Sequence, residues 1–266
     1  MMLKIEPRKN RSNFLEVSAP VIAVFLTMIF GGVLFLSMGK NPFEAIKLIF
    51  WDPIMSPTFS EYSRPQLVIK AAPLILIALG LSFGFRANIW NIGAEGQYIM
   101  GALISGSIGL ALYPLDSMVI FPLMILGGII GGILWAMIPA ILKIRFNTNE
   151  ILVSLMLVYV AEQILALASV GFLRNPEGLG FPGSRDLSKY PSAANPELIA
   201  NSGIHMGVIF SIIAVIVLTY FLIYHRLGFQ IKLLGQAPKA SKFSGVNSNY
   251  IILSLIHISE PTRQDR

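Results

Sequence analysis

The chain contains no cysteine, which excludes disulfide staples and thiolate metal sites. Charge is scarce: Asp, Glu, Lys and Arg make up 13% of the 266 residues, against about 25% in a soluble domain. No Gly-x-x-x-x-Gly-Lys-Ser/Thr run occurs. Gly39-Lys40 is followed by Asn41 and lacks the upstream glycine, so the chain is not expected to hydrolyse nucleotide itself. His205, His225 and His257 stand apart, with no His-Glu-x-x-His or Gly-x-Ser-x-Gly pattern near them. The motifs therefore point to no nucleophile, no metal and no cofactor on this chain.

What the sequence does have is apolar length. Hydrophobic residues make up 55% of it, and the mean hydropathy is +0.70. Val17–Gly39, Ala71–Phe85, Gly96–Leu115, Met118–Leu142 and Met206–Tyr224 carry no charge, and Ile151–Leu173 carries one, Glu162. A bilayer core about 30 Å thick takes about 20 helical residues to cross. Six such runs predict an all-α polytopic transmembrane bundle over residues 17–253, six spans plus the start of a seventh, lying in a lipid bilayer.

The basic residues set the orientation. With residues 1–16 as a cytoplasmic tail, the inner side collects Lys4, Arg8, Lys9, Arg11, Arg86, Lys143, Arg145, Arg226, Lys232, Lys239 and Lys242. The outer side then holds only Lys40, Lys47, Arg64, Arg174, Arg185 and Lys189. That is the positive-inside pattern. The net charge of +6 is thus a topological signal, and no nucleic-acid partner is read from it. The first run exceeds a signal-peptide core and has no convincing cleavage site before Lys40, so it is expected to stay as a span. At the other end, residues 254–266 (SLIHISEPTRQDR) break off an apolar helix begun at Tyr250. They resemble translated sequencing-adaptor read-through. The expectation is a non-native tail on a chain truncated before further spans.

The richest polar segment between apolar spans is 85–101, FRANIWNIGAEGQYIMG. Arg86, Asn88, Asn91, Glu95 and Gln97 cluster there, and Gly93 and Gly96 weaken a helix around the acid. A continuous helix from Arg86 to Leu115 would run about 44 Å, too long for one upright span. Either residues 86–95 lie along the interface, or the backbone breaks and re-enters, as it does where a cavity is lined. Asn88, Asn91, Gly93, Glu95, Gly96 and Gln97 are the candidate lining of a solute pathway. Glu162 is a seventh candidate, expected to face the bundle interior because a carboxylate in a span costs about 2.5–3.5 kcal/mol. It either lines the pathway or is satisfied there by protonation or a neighbouring hydroxyl.

Glycines four apart (Gly127/Gly131, Gly128/Gly132) and the Gly101, Ser105, Gly109 ladder predict close helix packing. The connection 225–249 is longer than a hairpin needs. Pro238 suits a helix start and Gly245 a helix stop, with Lys239, Ala240 and Lys242 between them. A short exposed basic helix of this kind suits docking by another protein; the alternative is a solvated basic loop held near anionic lipid headgroups.

Three segments together resemble one family, the permease subunits of bacterial ABC importers for nucleosides and simple sugars. Asn91-Ile92-Gly93-Ala94-Glu95-Gly96-Gln97 is similar to its NIGAEGQ signature. Asn149-Glu150-Ile151-Leu152-Val153-Ser154-Leu155-Met156-Leu157 resembles its NE-hydrophobic-T-x-ML segment. Gly228–Asn247 resembles its cytoplasmic G-x-x-x-(R/K)-x-x-G-x-x-P-x-A-(A/S)-x-x-(A/S)-G-(I/V)-N loop. The chain departs from the pattern at Val158, where Asn is usual, and at Gln236, where an acidic or similar residue is often found. The resemblance implies a cytoplasmic ATPase subunit contacting Gly235, Pro238, Lys239, Ala240, Lys242, Gly245 and Asn247. It also implies a second permease subunit and an extracellular substrate-binding protein, with ATP bound by a partner and not by this chain. The implied setting is a bacterial cell membrane. The competing class is a channel or ion-coupled secondary transporter with Glu95 or Glu162 as proton site. Genes for an ATPase and a binding protein beside this one favour the importer.

Overall fold

The computed structural model describes residues 13–88, 90–146, 148–199 and 202–245. The chain divides into two compact units, Met1–Leu67 and Val68–Arg266. Among the described residues there are no named strands, only an isolated bridge between Glu197 and His205.

In the first unit, helix α1 (Asn13–Ser37) is apolar almost throughout, with Pro20 inside it. Asn41 starts α2 (Pro42–Ile46) by accepting a hydrogen bond from the Phe43 N–H, 3.0 Å. That cap satisfies a donor the first helical turn leaves open. A π-helical turn, Lys47–Trp51, and α3 (Asp52–Met55) follow. Helix α4 (Ser60–Arg86) begins here and continues into the second unit.

The second unit adds α5 (Ala94–Ala111), α6 (Ile120–Phe146), α7 (Glu150–Val170), a 3-10 turn (Leu187–Lys189), α8 (Met206–Tyr224), α9 (Arg226–Gln236) and α10 (Pro238–Phe243). Among the described residues, five helices are long and apolar enough to cross a membrane: α1 over Val17–Ser37, α4, α6 over Ile120–Lys143, α7 and α8. The sequence leads one to expect a sixth at Gly96–Leu115. The corresponding helix, α5, carries Glu95 and Gln97 in its first turn and small residues beyond, which dilute its apolar length.

α5 is instead the helix most enclosed by its neighbours, packing along α6 and against α7. The glycine spacing does what it predicts. A Cβ at Gly101 would lie 2.9 Å from the Gly128 carbonyl oxygen, and one at Gly131 would lie 3.1 Å from that of Met100. Only glycine allows so close an approach, which replaces the hydrophobic drive that lipid does not supply.

Two small cores bracket this unit. At one end Ile120, Met124, Tyr190 and Ala193 pack together. The Tyr190 hydroxyl donates to the carbonyls of Leu112 (3.1 Å) and Leu115, tying the 171–205 segment to the α5–α6 turn. Burial, then the nearby Asp116 and Tyr113, push the Tyr190 hydroxyl above the ordinary tyrosine range, so it remains a donor. At the other end Phe83 and Ala87 pack with Leu222, Ile231 and Leu234. The spacing of Gly228, Ile231 and Leu234 places all three on the inner face of α9, which lays that helix against the ends of α4 and α8.

Candidate functional site

Helix α4 stops at Arg86 and α5 starts at Ala94, so a continuous helix is excluded and the backbone breaks between them. Asn88 sits at φ +60°, a left-handed conformation that Asn tolerates better than most residues. Asn91 is buried. Its Oδ1 accepts the Gly93 N–H at 2.8 Å and so closes the turn that launches α5.

The glycines then seat the junction on α7. A Cβ at Gly93 would lie 2.7 Å from Ser154 Cβ, and one at Gly96 would lie 3.2 Å from Val158 Cα and 3.1 Å from Trp135 Nε1. Gly93 and Gly96 thus let the start of α5 pack closely against α7 and Trp135 of α6. Asn91, Gly93, Gly96 and the half-buried Gln97 converge with Trp135 of α6 and Ser154 and Val158 of α7. Asn91 Nδ2 and Trp135 Nε1 are buried with no partner among the described residues. A buried donor without an acceptor costs about 1–3 kcal/mol, so such groups mark where an acceptor is wanted.

Asn88 and Glu95 are exposed. Glu95 occupies the first turn of α5, where the positive end of the helix favours an acid. Glu162 does not face inward in the chain: it is exposed, while its neighbour Ala161 is fully buried. The inner face of α7 is Glu150, Ser154, Val158, Ala161 and Ala168. One residue further turns the side chain about 100° away. Glu162 also stands two turns beyond Ser154, roughly 12 Å along the axis, so it does not join the Asn91 cluster.

The sequence reading gave no role to a buried ion pair below this junction. Glu150, 1% exposed, receives Lys143 Nζ at 2.9 Å and joins the end of α6 to the start of α7. The signal available was an acid directly after the helix-capping Asn149, whose Oδ1 accepts the Leu152 N–H.

The short helix expected between Pro238 and Gly245 is present. Helix α10 begins at Pro238 and ends at Phe243, and Gly245 follows at φ +74°, which favours glycine. Ala240 is exposed on it. Asn247 lies outside the described residues. The preceding α9 is fixed at Gly235, where a Cβ would run into the Arg86 carbonyl oxygen and lie 2.9 Å from the Ala87 carbonyl carbon. Gly235 therefore seats α9 directly on the backbone that leads into the break.

Residues 64–259 match the family described as branched-chain amino acid transport system / permease component. The chain belongs to this permease family. Its relatives carry other cargo names. A glucose ABC transporter permease protein of Haloferax volcanii is 28% identical, over 94% of this chain and 67% of its own length. A nucleoside ABC transporter permease protein of Lactococcus lactis is 27% identical, over 91% and 67%. A guanosine ABC transporter permease protein of Bacillus subtilis is 25% identical, over 90% and 67%. No solved structure matches the chain. As a permease with several membrane-length apolar helices, it is a multi-pass membrane protein.

Proposed function

We propose that this permease is the membrane subunit of an ABC importer that carries nucleosides or simple sugars into the cell. In this reading α5 crosses the membrane as a sixth span inside the bundle, and the N-terminus is cytoplasmic. A cytoplasmic ATPase subunit docks on α9–α10, a second permease subunit completes the pathway, and an extracellular binding protein delivers the solute. The observation that carries the reading is the seat of Gly235 on Arg86 and Ala87. A docking helix in contact with the backbone beside the break gives ATPase movements a direct route to the pathway, and Gly235 of α9 makes that contact with Arg86 and Ala87. The buried donors at Asn91 and Trp135, adjacent to the break, suit a neutral solute rich in hydroxyl and ring-nitrogen acceptors.

The test is ATPase stimulation in a reconstituted complex with the ATPase and binding-protein subunits. Ala240→Glu, on the exposed side of α10, is expected to abolish stimulation while leaving membrane insertion intact. Stimulation equal to the unsubstituted chain sinks the docking assignment.

A further inference from the structure

We propose that the hollow between the end of α4 and α9 binds the phosphodiester headgroup of one anionic phospholipid of the cytoplasmic leaflet. The hollow, about 470 Å³, is lined by Phe85, Arg86, Asn88, Lys232, Gly235 and Gln236. None of these is acidic. Two cations from separate elements, the terminal residue of α4 and an exposed residue of α9, converge on one space. An anion placed in that space is attracted by both. A planar guanidinium, an ammonium and the Gln236 amide offer the donor set that phosphate oxygens take.

The surroundings select a lipid over a soluble phosphate. Phe85 and Trp90, both about half exposed, meet in a tilted pair with ring centroids 5.0 Å apart. Arg226, Phe229, Lys232 and Gln236 follow one another along the exposed side of α9, the alternation of cation and aromatic expected of a helix lying in the interface. Tyr220 and Tyr224, a tilted pair with centroids 4.8 Å apart, add exposed aromatics at the end of α8. Aromatic belts mark the membrane–water boundary, and basic pockets beside spans on the cytoplasmic side take anionic headgroups. The inference rests on the cytoplasmic assignment of this end given above. It asks nothing of the ATPase, the binding protein or the cargo.

The experiment uses the full chain in nanodiscs of phosphatidylcholine with a minor share of phosphatidylglycerol, released and weighed by native mass spectrometry. Phosphatidylglycerol is expected to stay bound in preference to phosphatidylcholine. Arg86→Gln with Lys232→Gln should retain roughly 25-fold less, about fivefold for each cation. The charge-preserving pair Arg86→Lys with Lys232→Arg should retain it. Equal retention of both lipids by the unsubstituted chain overturns the proposal, and so does undiminished phosphatidylglycerol on a monodisperse Gln pair. Glycerol phosphate in solution separates the sources: displacement at micromolar concentration makes this a soluble-phosphate site and overturns the lipid, whereas none at millimolar supports it. No nucleotide or solute is present, so failure here leaves the importer reading standing, and failure of stimulation leaves this one standing.

Discussion

Gly235→Ala isolates the contact on which the coupling account depends. The added methyl would meet the Arg86 carbonyl oxygen and both the Cα and carbonyl carbon of Ala87, at 3.0 and 2.9 Å, about half an ångström inside ordinary contact. All three are backbone atoms, so no rotamer change relieves the overlap and α9 must move as a body. Overpacking of this kind costs about 1–3 kcal/mol, offset by up to about 1 kcal/mol of helix propensity gained over glycine. The expected net loss is about 2 kcal/mol. For a chain of this size that is about 4–8 °C in apparent melting temperature. Ile231 and Leu234 share the inner face of α9 with the core beneath it, so the shift also loosens Phe83 and Ala87. Stimulated ATPase activity should fall more than stability does, because the seat joins α9–α10 to the break. Gly106→Ala is the matched control: a Cβ there meets nothing within 4 Å, so it should be neutral or slightly stabilising. Thermal unfolding in detergent and ATPase stimulation on the same preparations read both effects. Equal melting temperatures and equal stimulation for Gly235→Ala and Gly106→Ala would refute the reasoning.

Three further outcomes follow from the same geometry. Lys143→Met strands the buried Glu150 carboxylate and should cost about 3–5 kcal/mol in thermal unfolding, while Lys143→Met with Glu150→Leu should recover most of it; a double variant no better than the single contradicts the pair. Glu95, exposed at a helix start, should tolerate Glu95→Gln with near-normal uptake, and Glu95→Ala should lose only a helix-start contribution of about 0.3–1 kcal/mol; loss of accumulation in both variants would instead mark a proton site. In the 171–205 segment, hydrogen bonds from the Ser188 hydroxyl and amide hold the Asp186 carboxyl below its ordinary value. That local support is whole above the ordinary Asp range and disappears as pH falls through the lowered value. The amide protection factor of Ser188 should therefore drop on strong acidification, and Asp186→Asn should remove the dependence.

Local signals carried much of the structure. Pro238 and Gly245 mark the start of α10 and the left-handed residue just past its end, because a fixed φ and a missing Cβ act within one or two residues. The length of the 86–115 stretch rules out a single upright helix, since helix rise and bilayer thickness leave no room for one, but it does not choose between an interfacial segment and a break. Glycines four apart predict close helix packing for the same kind of local reason, and the structure supplies the partner, the α5–α6 seam. The long-range contacts were not legible. Glu162 sits on a helix that is apolar all round, so periodicity does not distinguish its packed face from its exposed one. Lys143 and Glu150 lie on either side of a turn, and nothing in their spacing says that burial pairs them. Trp135 looks like any aromatic in a charge-free run until Gly96 is seen beside its indole nitrogen. Gly235, singled out as part of a docking loop, owes its place to Arg86, about 150 residues earlier in the chain.

The central claim is tested most directly by solute accumulation in proteoliposomes containing this permease with its ATPase, second permease and binding-protein subunits. Labelled nucleoside, glucose and leucine are offered separately, with and without ATP inside. The account predicts ATP-dependent accumulation of nucleoside or sugar, no accumulation of leucine, and none of any solute without ATP. Accumulation of leucine, or uptake driven by a proton gradient with ATP absent, would contradict it.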